Sequence, residues 1–177
     1  PIFIVGKPGS SKSLAMGLIT DNLHGDASHN DFLKSLPAVM VYSYQCSPLS
    51  TSQGIEQTVA QARAYRRAAA DSITVVLLDE VGLAEQSPYL PLNVLHKVLD
   101  EAEPREALVG ISNWTLDPAK MNRAVYLYRP APTEEDLAET AWGMVQAPEL
   151  KGYLQSLAHA SNRVYEAQQK GEHRDFW

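Results

Sequence analysis

Three short stretches hold residue types whose spacing can do chemistry. The first, "GKPGSSKS", sets Gly6, Lys12 and Ser13 in the order G-x-x-x-x-G-K-[ST], with Ser11 where that pattern has its second glycine. Such a loop cradles phosphates on backbone N–H groups, while its lysine reaches the outer phosphates and its hydroxyl ligates Mg²⁺. N–H groups from Gly9 to Ser13 would wrap a β-phosphate, helped by the positive end of the helix that follows. Pro8 offers no N–H but stiffens the entry. The contact set expected of the loop is Gly6, Lys7, Pro8, Gly9, Ser10, Ser11, Lys12, Ser13 and Leu14. Serine at position 11 carries a cost if the backbone angle there is unusual or the ligand comes very close. Alone, the loop also reads as an ordinary strand–turn–helix junction.

The second stretch, "VVLLDE", ends an apolar run in Asp79 and Glu80. Strand C-termini of a parallel sheet share one edge with a phosphate loop. Asp79 can then hold hydrated Mg²⁺, and Glu80 can polarise an attacking water. The other reading, a surface turn before Val81 and Gly82, weakens once the loop is considered with it. The third stretch, "LVGISN", ends in Asn113, whose amide could sit between a terminal phosphate and the water beside Glu80. A plain turn residue before Trp114 is the alternative.

These residues need a scaffold that brings strand ends together, and the chain alternates strand and helix patterns. "IFIV" (2–5), "AVMVYSYQC" (38–46), "ITVVLLDE" (73–80), "ALVGISN" (107–113) and "AVYLY" (124–128) are short apolar runs of the kind buried in a parallel sheet. Helical patterns separate them: Leu14 to about Leu23, an Ala-rich segment from Ser52, and "PLNVLHKVLDE" from Pro91. Five strands with helices between predict a three-layer α/β fold with a mostly parallel sheet. From Thr133 only helical patterns follow, the first capped by Thr133 with Asp136. The expected division is an α/β body over 1–130 and an all-helical piece over 131–177.

Composition closes off several function classes. Of 177 residues, 45% are hydrophobic and the formal charge is −6, without a Lys/Arg run, so the electrostatic footprint of a nucleic-acid binder is missing. One cysteine, Cys46, rules out an internal disulfide or a Cys-rich zinc site in this stretch. The five histidines, His24, His29 and His173 among them, do not stand at metal-ligand spacing. No apolar run approaches ~20 residues, so no transmembrane segment is expected. With no signal-peptide pattern either, the expected location is cytoplasmic. The abrupt start and finish suggest a segment of a longer protein.

The order of loop, Asp-Glu strand, Asn-ended strand and helical piece after "RP" resembles an AAA+ ATPase, a P-loop NTPase. More closely, "GKPGSSKSLA", "YQCSPLSTSQGI", "LLDEVGLAEQSPYLPLNVLHKVLDE" and "VGISNWTLDPAKMNRAVYLYRP" resemble the AAA+ modules of the mysterin family, giant RING-finger ubiquitin ligases. The resemblance covers nearly the whole chain and implies that Ser11 is tolerated in the loop. It implies ATP and Mg²⁺ as cofactors, with Lys12 and Ser13 on phosphate and metal, Asp79 on the metal, Glu80 on the water and Asn113 as sensor 1. Arg123 in "KMNRAVYL" matches the place of an arginine finger, with a loop-capping surface arginine as the alternative. Arg129 reads as structural, and Arg163 is the one candidate for sensor 2. The helical piece would be a partial lid. The partners implied are ATP/ADP and neighbouring AAA+ modules, supplied in the same chain. Ligase chemistry is expected outside this segment, since a RING needs several Cys and His ligands. Three functions stay open: an active ATPase, a nucleotide-holding structural module, and a P-loop small-molecule kinase. The sequence lacks the Arg-rich lid segment that the kinase would call for.

Overall fold

A computed structural model describes residues 1–69, 71–99, 106–118, 124–145 and 147–169. Strand β1 (Ile2–Val5) leads through the loop into helix α1 (Lys12–Asn22). A 3₁₀ turn at Gly25–Ala27 and a short α2 (Asp31–Lys34), capped by the Asn30 side chain, precede β2 (Ala38–Gln45). Helix α3 (Ser52–Ala68) begins where the Thr51 hydroxyl accepts from Gly54 N–H. Next come β3 (Ser72–Asp79), α4 (Val81–Glu85), α5 (Asn93–Leu99), β4 (Ala107–Ser112) and β5 (Val125–Tyr128).

The five strands form one sheet in the order β2-β3-β4-β1-β5, and every pairing is parallel. The expected sheet was mostly parallel; among the described residues it is wholly so. Val5 lies beside Ser112 and Tyr128, and Gln45 beside Asp79, so the C-terminal ends of the strands share one edge. Chain order reverses direction across the sheet at β1, the position at which open α/β sheets bind ligands.

Side-chain alternation builds two cores. On one face Phe3, Val76, Leu78 and Leu108 pack with Ile55, Val59, Ala62, Val81, Leu92 and Leu95 from α3 to α5. On the other face Val75, Val109 and Ile111 pack with Met16 of α1. Gly110 is obligatory here, because a Cβ would overlap the Phe3 ring. At the far end of the sheet, Arg63 of α3 pairs with Glu106, whose side chain is only 4% exposed. Burial at that level makes the pair costly to break.

The chain divides into two compact units, Pro1–Pro130 and Ala131–Trp177. In the second, α6 (Glu134–Val145) opens with a reciprocal cap: Thr133 N–H donates to the Asp136 carboxylate at 2.8 Å, and Asp136 N–H to the Thr133 hydroxyl at 3.1 Å. A 3₁₀ turn at Pro148–Leu150 leads into α7 (Lys151–Gln169), and His159 bonds Glu134 across the helix pair at 2.9 Å. No described helix is long and apolar enough to cross a membrane.

Candidate active site

The loop between β1 and α1 sits on the C-terminal edge of the sheet. Its glycines have separate reasons to be there. Gly9 adopts φ 80°, the left-handed region that glycine enters freely. Gly6 meets the carbonyl of Arg129, where any Cβ would overlap it. Arg129 N–H in turn donates to Val5 O at 2.7 Å, and Gly6 N–H to Ser112 O at 3.2 Å. The loop is therefore held from both neighbouring strands.

Ser11 is where the loop departs from the general pattern, and its backbone is left-handed at φ 60°, ψ 25°. The conformational cost anticipated for serine is thus real, on the order of 1 kcal/mol. Ser11 is the N-cap residue of α1, yet its side chain makes no capping bond. A serine in the usual extended N-cap geometry would accept from the second or third helical N–H. Here the Ser11 side chain leaves those first-turn N–H groups uncapped.

Lys12 is buried, and its ammonium donates to Gly6 O (2.7 Å), Lys7 O (2.9 Å) and the Ser10 hydroxyl (3.2 Å). Ser10 is itself fixed by donating to Lys7 O at 2.8 Å. Burial pushes the Lys12 ammonium below its ordinary value of 10.5, opposed in part by the carboxylates of Glu80 and then Asp79. Those carboxylates stand at the end of β3. The Ser13 hydroxyl lies 3.5 Å from Asp79 Oδ1, long for a hydrogen bond, so neither oxygen is tied up by the other.

Glu80 is the second non-glycine residue in left-handed geometry at the site, with φ 54° and ψ 37°. Its N–H donates to Asp79 Oδ1 at 3.0 Å, and the reversal starts α4 immediately. The sequence had suggested at most a turn at this point. The Asn113 amide donates to both Glu80 carboxylate oxygens, at 3.2 and 2.9 Å. Close packing sets that distance: a Cβ on Gly82 of α4 would stand 2.6 Å from the Ser112 hydroxyl and 2.7 Å from the Trp114 ring.

These parts surround a cavity of about 250 Å³ lined by Pro8, Gly9, Ser11, Lys12, Ser13, Leu14, Glu80, Ile111 and Asn113. Asp79 borders a neighbouring groove of about 420 Å³ between α1 and the strands β2 and β3, which Ser13 also lines. Gly6, Lys7 and Ser10 lie outside the cavity wall and accept hydrogen bonds from the Lys12 ammonium. Arg123 lies outside the described residues. Arg163 is exposed in the second unit, and Arg129 enters the loop through its backbone alone among the described contacts.

Two neighbours of the site had no signal in the sequence. Ile111 closes the apolar wall of the cavity. Cys46, buried at 2% exposure, donates its N–H to Asp79 O at 2.8 Å. Its thiol is pushed up from 9.0 to about 12, chiefly by burial and then by Asp79 and Glu80. Only the β2–β3 register, which sets Gln45 beside Asp79, could have revealed it.

Similarity to known proteins agrees with this geometry. The family described as "RNF213 AAA domain" matches residues 1–136. The human E3 ubiquitin-protein ligase RNF213 is 44% identical over 96% of this chain, and zebrafish rnf213-beta 46% over 81%. This chain spans only 4% and 3% of their respective lengths. Among solved structures, Rhizobiales Trip13 superposes over 90% of this chain and 56% of its own, with TM-score 0.56 at 20% identity, a likeness of fold. The Gly6–Ser13 loop, the Asp-Glu strand and the Asn-ended strand thus occur together in an AAA+ P-loop fold, and the chain belongs to the RNF213 AAA-domain family.

Proposed function

We propose that this chain is a Mg-ATP-hydrolysing AAA+ module of a larger RNF213-like ubiquitin ligase. The observation that supports it most is the convergence of Lys12, Glu80 and Asn113 on one cavity. In this reading Lys12 exchanges the carbonyls of Gly6 and Lys7 for phosphate oxygens. The free first-turn N–H groups of α1 and the loop N–H groups from Gly9 to Ser13 receive the remainder of the phosphate tail. Ser13 and Asp79 present hard oxygen donors that fit Mg²⁺, which when bound supplies neutralisation of phosphate charge. Glu80 takes a proton from water as the water oxygen bonds to the terminal phosphorus and the bond to the ADP oxygen breaks. Asn113 holds the Glu80 carboxylate in line for that transfer.

Residues 1–130 are the nucleotide-binding core and 131–177 a partial lid. Arg123 acts as the finger that reaches a neighbouring module of the same chain, so that nucleotide state is coupled to movement between modules. Ligase chemistry resides elsewhere in such a protein, consistent with a single cysteine here. A second reading, a module that holds ATP without turnover, draws support from the Asn113 amide engaging both Glu80 oxygens.

Calorimetry with ATP and ADP in Mg²⁺, followed by phosphate release from the same sample, tests the proposal. Expected are binding with release, loss of binding in Lys12→Ala, and retained binding without release in Glu80→Gln. Undiminished turnover in Glu80→Gln would overturn the assignment of that carboxylate.

A further inference from the structure

We infer that the Ser11 side chain is a further binding group of this site, its hydroxyl adding a hydrogen-bond donor to the phosphate tail where the general loop pattern has only glycine. This rests on the nucleotide reading above. The general pattern needs glycine at this position because a left-handed backbone is costly for any residue with a Cβ. The structure keeps that backbone, φ 60°, with serine in place. A replacement that only filled space would accept the strain without return.

Two observations show what the serine adds. It is the N-cap of α1, the position at which a serine hydroxyl ordinarily accepts from its own helix and thereby competes with an incoming anion. In left-handed geometry it makes no such bond, so the N–H groups of the first turn stay free. The residue is exposed and lines the cavity beside Lys12, Ser13 and Glu80. The neighbouring serines are committed differently: Ser10 is buried against Lys7 and Lys12, and Ser13 stands toward Asp79. Ser11 thus brings to the cavity wall a hydroxyl that its own helix does not use, in addition to the N–H groups that any residue would supply.

The test compares the unaltered chain with Ser11→Ala and Ser11→Gly, using ATP and ADP in Mg²⁺ by calorimetry and the melting temperature without nucleotide. Alanine keeps the Cβ and the strain but loses the hydroxyl. Glycine loses both and is the variant certain to accept the backbone. Both should bind ATP about tenfold more weakly, roughly 1.4 kcal/mol, the low end for a bond to a charged acceptor. Only Ser11→Gly should melt at a higher temperature, and Ser11→Ala should melt with the unaltered chain. If the unaltered chain binds and both variants bind equally well, the hydroxyl has no part and this inference alone falls. If the folded, unaltered chain binds neither nucleotide, the nucleotide reading falls and takes this inference with it.

Discussion

Asn113→Ala deletes one amide and leaves the backbone of β4 untouched. In the structure that amide donates to both oxygens of Glu80 at 3.2 and 2.9 Å, so its removal frees the carboxylate completely from that partner. The shorter contact is a charge-assisted bond, worth about 1.5–3 kcal/mol when fully buried. Both residues are half-buried, which favours the lower part of that range. If about 2 kcal/mol of this alignment is realised only as the proton leaves the attacking water, kcat falls about 30-fold with KM nearly unchanged. The assay is phosphate release across a Mg-ATP titration, read beside ATP binding in a Glu80→Gln background, where release has already stopped. There Asn113→Ala should leave ATP binding unchanged, because the amide acts through the Glu80 carboxylate and not on the nucleotide. An unchanged kcat in the single variant, or a loss confined to KM, would refute the coupling. A rise in kcat would mean that the amide restrains Glu80 instead of aligning it.

Other expectations follow from the buried groups. The Thr74 hydroxyl is wholly buried in β3 with no hydrogen-bond partner among the described residues, so Thr74→Val should stabilise the chain by about 1 kcal/mol. The urea midpoint should then rise at constant slope. Cys46 keeps its proton to about 12 when folded but releases it near 9.0 when unfolded, so its contribution to stability is intact below pH 9 and is lost as pH rises toward 12. By pH 10 the loss should be about 1.4 kcal/mol, absent in Cys46→Ala, measured as the difference between denaturant titrations at pH 8 and pH 10. Gly82→Ala forces a methyl against Ser112 and Trp114, for which a loss of about 1–3 kcal/mol and slower phosphate release are expected. Wild-type melting and turnover in that variant would show that α4 can shift freely.

The elements were legible because each strand is a short run rich in apolar residues, and because Gly6, Asp79, Glu80 and Asn113 fall where such runs end. Helix α4 was not legible: Glu80 enters it through left-handed backbone, which no propensity anticipates for glutamate. Strand order was also hidden, since it depends on which strands neighbour β1 and not on any run by itself. For the same reason Cys46, distant in sequence from Asp79, gave no sign that it backs the carboxylates. Ser11 was visible as a departure, but whether it was strained depended on a backbone angle.

The contact between Gly6 and Arg129 has a mechanical consequence. The carbonyl of Arg129 fills the space where a side chain of Gly6 would be, and Arg129 immediately precedes Pro130, the last residue of the first unit. Main chain bears on main chain there, with no rotamer between them to yield. Close-packed contacts of this kind transmit displacement instead of absorbing it. A shift of the loop's first residue would therefore be felt directly in the main chain at Arg129, one residue before Pro130, where proline fixes the φ angle.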